Sequence, residues 1–195
     1  MQQNDRNLFL EEMADVVPLT HDVSQQISRS APSAGQLARK AAAELSEYHQ
    51  RMTTELALIP PVKPEDMLSF KREGVQDAVF KNLRLGQYHV AAELDVHALS
   101  VTQARDFLLS FLQAQIKRGH RCVSIIHGKG YSSKPFPALI KSCVNYWLTQ
   151  VDEVMAFHSA QRHHGGYGAV YVMLPKSTAK RIESREINAR GVRKR

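Results

Sequence analysis

Residues 92–149 carry the same pattern twice, and it narrows the possible folds of this chain more than any other feature. A short β-type run is followed by a stretch with apolar residues at helical spacing. The first run, residues 92–97, is followed by Ser100 and Gln103 in capping-box spacing. Ala104, Phe107, Leu108, Phe111, Leu112 and Ile116 then form one apolar helical face that stops at Gly119. The second run, residues 121–127, leads through a loop with two glycines and Pro135 to a helical stretch over residues 136–149, marked by Leu139, Ile140, Val144, Trp147 and Leu148. Two further β-type runs, residues 154–158 and 169–174, have no helical pattern between them, so they are predicted to pair as an antiparallel hairpin. The resulting order is βαβαββ, an α/β fold.

The first half of the chain is less regular. Residues 5–16 read as a short amphipathic helix, residues 19–36 as a mobile linker, and residues 34–51 as an exposed helix. Pro60, Pro61 and Pro64 end regular structure after it, and residues 74–85 show helical spacing closed by Gly86. The division expected is a helical and linker extension over residues 1–90, a main domain over 91–175 and a basic tail over 176–195. That tail holds much of the formal net charge of +7, with eight Lys or Arg against two Glu, as an arm that neutralises phosphates would. Cys122 and Cys143 lie in apolar runs and read as reduced core residues. No signal-peptide pattern and no apolar run of about 20 residues is present, so a cytoplasmic protein with no membrane partner is expected.

Ionisable residues gather where the first two strands end. Strand alternation puts Glu93, Asp95 and His97 on one face, aiming a carboxylate and an imidazole at the strand's C-terminal end, where open α/β sheets bind ligands. Asp95 can orient His97, activate a water or bind a metal, and His97 can act as a general base or acid. In His127-Gly128-Lys129-Gly130, the glycines let backbone approach a phosphate and Lys129 supplies a cation, though the spacing is not that of a P-loop. Arg162, His163 and His164 precede Gly165, Gly166 and Gly168, whose amides can bind a phosphate backbone. Tandem histidines without a suitably placed cysteine do not make a zinc site. Tyr167 reads first as a cover for the sheet edge, with stacking on a base or sugar as the alternative.

Together, Leu94-Asp95-Val96-His97-Ala98, His127-Gly128-Lys129-Gly130 and Gly165-Gly166-Tyr167-Gly168 resemble the three ordered motifs of the Smr (small MutS-related) domain. The flanking segments at residues 8–19 and from residue 70 onward resemble the stand-alone bacterial members of that family. Ala98 stands where the family motif has glycine. The resemblance implies a two-layer α/β sandwich with helices on one face and its four strands in the order 1-2-4-3. It also implies nuclease activity, nicking DNA in some members and cleaving RNA at stalled ribosomes in others.

The expected function is a nucleic-acid phosphodiesterase, an endonuclease that nicks DNA. Asp95, His97 and His127 are the expected catalytic groups, the last as second acid/base. Gly128, Lys129, Gly130, Arg162, His163, His164, Gly165, Gly166 and Gly168 are the expected phosphate-binding set. On DNA, a water must be activated, and Asp95 is then the candidate ligand of a divalent cation such as Mg2+. An RNA endonuclease acting on mRNA at stalled ribosomes, and a non-catalytic nucleic-acid or ribosome-binding adaptor, are the alternatives. Oligomeric state is left open.

Overall fold

The computed structural model describes residues 33–176, together with the isolated position Glu12. The amphipathic helix expected at residues 5–16, most of the expected linker and the basic tail lie outside the described residues. The chain divides into two compact units, Met1–Ala38 and Arg39–Arg195.

The first described helix, α1, spans Ala34–Arg51. Ser33 caps it: its Oγ accepts from the Gln36 N–H at 3.3 Å, and its own N–H donates to Gln36 Oε1 at 2.8 Å. There follow strand β1 (Ser69–Lys71), helix α2 (Asp77–Arg84), strand β2 (Glu93–Asp95), helix α3 (Val101–Lys117), strand β3 (Cys122–Ile126), helix α4 (Leu139–Gln150), and strands β4 (Ala156–Ser159) and β5 (Ala169–Met173). The capping box at Ser100 forms as its spacing predicts, with both reciprocal bonds present.

One five-stranded sheet runs β1-β4-β5-β3-β2. Its last four strands reproduce the expected 1-2-4-3 order. β2 pairs parallel with β3, and β3–β5, β4–β5 and β1–β4 are antiparallel. Strand β1 adds to the expected sheet at its outer edge, in a segment predicted to be irregular. It has three residues, only Phe70 of which turns an apolar side chain inward, so its alternation is too short to stand out.

Strand alternation separates the two faces. Val123, Ile125, Phe157, Val170 and Val172 pack with Leu108, Leu112, Val144, Trp147 and Leu148 of α3 and α4. On the other face Cys122, Ala156, Ala169, Tyr171 and Met173 pack with Leu83 of α2. Helices α3 and α4 thus share one face, as expected, while the short α2 from the N-terminal extension covers part of the other. Cys122 and Cys143 are free and buried. Among the described residues no helix is long and apolar enough to cross a membrane.

Candidate functional site

Because β2 and β3 are parallel, their C-terminal ends share one edge of the sheet. The ladder extends past Asp95, with the Val96 N–H donating to Ile126 O at 2.8 Å. β5 begins at that same edge, with Ala169 opposite Ile126. Gly168 O there accepts from the N–H groups of His127 (3.0 Å) and Gly128 (2.9 Å). Strand order alone therefore brings all three sequence motifs together.

Asp95 and His97 form a direct pair. Asp95 Oδ1 lies 2.5 Å from His97 Nδ1 and accepts from the His97 N–H at 3.0 Å. Burial pushes the Asp95 carboxyl pKa up, but the backbone and ring hydrogen bonds and the charge of His97 outweigh it and hold it below the usual range. With Nδ1 engaged, proton exchange with a ligand falls to Nε2, on a ring whose side chain is 58% exposed. Gly128 packs so closely on this histidine that a Cβ there would sit 3.1 Å from His97 Cβ, and its φ of +71° is in the left-handed region that favours glycine. Ala98 needs no such freedom. Ala138 is the only non-glycine with positive φ among the described residues, so alanine fits at 98 without backbone strain.

His127 shares the edge but faces the other way. It continues the alternation of Val123 and Ile125 toward the helices, and only 2% of it is exposed. Its Nδ1 donates to Gly128 O at 2.7 Å, and its Nε2 is buried with no hydrogen-bond partner. Burial pushes the pKa down to about 4, the Gly128 hydrogen bond opposing and the Lys141 charge assisting. In this arrangement His127 is a neutral imidazole that holds the Gly128 turn, and its Nε2 is an acceptor, not a proton donor.

Lys129 lies on the rim of a cleft of about 550 Å³, whose other lining residues include Arg84, Arg162, Gly165, Gly166 and Tyr167. No Asp or Glu lines it, so three cations face it without a carboxylate among them. His163 and His164 do not join them. The His164 ring Nδ1 lies 2.5 Å from the Tyr171 hydroxyl, and the His163 ring meets the His164 ring at a tilt of 57° with centroids 4.2 Å apart. His164 instead lines a separate crevice with Glu93, Ser124 and Tyr171, on the α2 side of the sheet.

Two positively charged residues at this edge escaped the sequence reading. Arg84 comes from α2, in the extension that showed no chemical pattern. Lys141, in the first turn of α4, is fully buried, and its ammonium donates to Pro64 O (2.8 Å) and Asp66 O (2.6 Å). Burial pushes its pKa down, Asp66 opposing and Lys129 assisting. It also sits 5.8 Å from the Tyr167 ring centroid. A lysine within an apolar helical face was the available signal for it. Arg84 had none, because only the folded sheet brings α2 to this edge. Among the described residues, no three His, Cys, Asp or Glu side chains come together as a metal ligand set.

A sheet edge that joins a carboxylate-backed imidazole to a glycine and lysine loop and a cationic cleft defines an α/β protein built to handle phosphate esters. The Smr domain family matches residues 94–175. The chain is 36% identical over 190 residues to "Probable DNA endonuclease SmrA" of Escherichia coli (strain K12), covering 97% of this chain and 98% of that one. It is 28% identical over 178 residues to "Ribosome rescue factor SmrB" of Tolumonas auensis, covering 91% and 96%. Its fold is similar to the crystal structure of YdaL, a stand-alone small MutS-related protein from Escherichia coli, with a TM-score of 0.58 and 38% identity over 66% of this chain and 96% of that one. The chain belongs to the Smr family.

Proposed function

We propose that this protein is an endonuclease and that it nicks DNA. The observation that carries the reading is the Asp95–His97 pair, exposed at the sheet edge beside a cationic cleft lined by no carboxylate. The identity to a protein named "Probable DNA endonuclease SmrA", 36% over nearly the whole chain, favours DNA over RNA.

In the reaction, His97 Nε2 takes a proton from water as its oxygen attacks phosphorus, and Asp95 offsets the charge that develops on the ring. The bond from phosphorus to the leaving oxygen breaks, and that oxygen takes a proton from solvent or from His97. Lys129 offsets charge on the non-bridging oxygens, while the Gly128, Gly166 and Gly168 amides, already donated to Gly168 O, Gln161 O and Gly165 O, hold the loops in shape. His127 holds the Gly128 turn beneath them. A divalent ion, if bound, would be held by Asp95 and would help activate the attacking water, and no step above depends on it.

The test uses DNA and RNA strands of matched sequence, each with and without EDTA, and reads the chemistry of the product ends. Nicked DNA that loses its products in His97→Ala supports the proposal. A 2′,3′-cyclic phosphate formed in EDTA from RNA alone would make the 2′-hydroxyl the nucleophile and overturn the DNA assignment. Tight binding of both strands with no cutting by pure protein would leave an adaptor.

A further inference from the structure

The cleft bounded by Arg84, Lys129 and Arg162 contains more than a phosphate site needs. Tyr167, 43% exposed, lines it, and Met67, 60% exposed, lines it too. Large apolar groups on a cationic wall do nothing for a phosphate, but they match the face of a nucleobase. The Tyr167 ring is braced from inside the molecule. The buried Lys141 ammonium, which does not line the cleft, stands 5.8 Å from its centroid, within cation–π range. Lys141 is in turn held by Pro64 O and Asp66 O, so the ammonium side of this contact is fixed. At Gly166 a Cβ would meet nothing within 4 Å, so backbone beside the ring is open to a ligand. The volume, about 550 Å³, lies in the range of pockets that take a small ligand.

From this geometry we infer that the cleft is a subsite for one unpaired nucleotide flanking the cut, its base stacked on Tyr167 against Met67 and its phosphates held by Arg84, Lys129 and Arg162. The word "cut" rests on the proposed nuclease reading; the subsite itself does not. A base can reach Tyr167 only if it leaves its duplex partner, so the protein binds single-stranded or frayed segments in preference to intact duplex. Arg84 gives the N-terminal extension a direct part in that selection. The Gln161 side chain holds the Arg84 backbone at the cleft, donating through Nε2 to Arg84 O at 2.6 Å.

The test is titration of the full-length protein with a short single-stranded oligodeoxynucleotide carrying 2-aminopurine, and with the blunt duplex of the same sequence, read by anisotropy and by 2-aminopurine fluorescence. The expected result is quenching by wild-type protein with the single strand. Tyr167→Ala should abolish the quench and weaken single-strand affinity by roughly 5–100-fold, while duplex affinity is unchanged and Tyr167→Phe behaves as wild type. Arg84→Gln should lower affinity for the single strand and flatten its salt dependence by about 0.7 in log–log slope. Tyr167→Ala that still quenches, or that loses duplex and single-strand affinity equally while melting at the wild-type temperature, would overturn the inference. Because the readout is binding, quenching by a protein that cuts nothing would keep the subsite and remove the nuclease, and cutting without quenching would do the reverse.

Discussion

His97 and His127 lie at the ends of two neighbouring parallel strands, and their environments assign them opposite chemistry. His97 is exposed with a carboxylate on Nδ1, so removing it should remove the reaction. His97→Ala is expected to lower turnover by about 10²–10⁴-fold with nucleic-acid affinity nearly unchanged, measured as single-turnover rate and Kd. Asp95→Asn should fall in the same direction, because an amide does not offset the imidazolium charge. His127 should instead register in stability. Its folded pKa, about 4, lies below the unfolded value of 6.5, so the unfolded chain binds the extra proton first as pH falls. Its contribution is fully present above pH 6.5, declines as pH drops toward 4 and is lost below that, a change on the order of 3 kcal/mol. His158, also pushed down by burial, adds in the same direction. Denaturant melts across this window should therefore show a shallower acid loss for His127→Gln than for wild type; an equal slope would mean that His127 is not the buried neutral group. Of these two roles only the first could be read from the sequence. The Asp-x-His spacing announces a pair, whereas the burial of His127 follows from which face of β3 meets the helices.

Between elements, legibility follows the strength of the local signal. The β2–α3–β3–α4 alternation was readable because each helix carries a long apolar stripe and α3 its own capping box. Boundaries shifted where tertiary bonds intervened: α4, expected from residue 136, begins at Leu139, because Ala138 takes a φ of 59° and donates its N–H to Gly130 O at 2.7 Å. Nothing in the sequence marks the closing of α4. Arg72, just past β1, meets carbonyls at and beyond the C-terminus of that helix, its guanidinium donating to Thr149 O (3.1 Å), to the capping Val151 O (2.9 Å) and to Val154 O in the loop that follows (2.8 Å). Arg72→Met keeps a flexible unbranched stem but removes the guanidinium and all three bonds, so it should cost about 1.5–3 kcal/mol in urea unfolding. No loss of stability would show that water replaces the guanidinium at these carbonyls without penalty.

Across the whole molecule, the division expected at residue 90 is bridged by the sheet and the core. Met52, Ile59, Leu68 and Leu83 are buried. At about 1.5–3 kcal/mol for each such side chain, their burial contributes on the order of 6–12 kcal/mol, comparable with the total stability of an ordinary domain. Hydrogen bonds cross the same line. Trp147 Nε1 donates to Thr53 O at 2.8 Å, Tyr48 Oη donates to Glu153 Oε2 at 2.7 Å, and Lys141 is held by the carbonyls at 64 and 66. Removing the extension would also uncover the outer edge of β4, a row of unpaired backbone groups open to another chain. The three motifs all lie after residue 90, so a fragment of residues 91–176 retains every group in the proposed reaction except the support beneath it. That fragment is expected to melt far below residues 33–176 and to bind a hydrophobic dye, and its cleavage rate should fall even though Asp95, His97 and Lys129 remain. The comparison requires thermal melts, dye binding and single-turnover rates on both fragments. If residues 91–176 melted cooperatively near the temperature of the longer fragment, the extension would be an appendage and not part of the fold; if they also cut at the same rate, Arg84 and the hold of Pro64 O and Asp66 O on Lys141 would have no part in presenting the strand to His97.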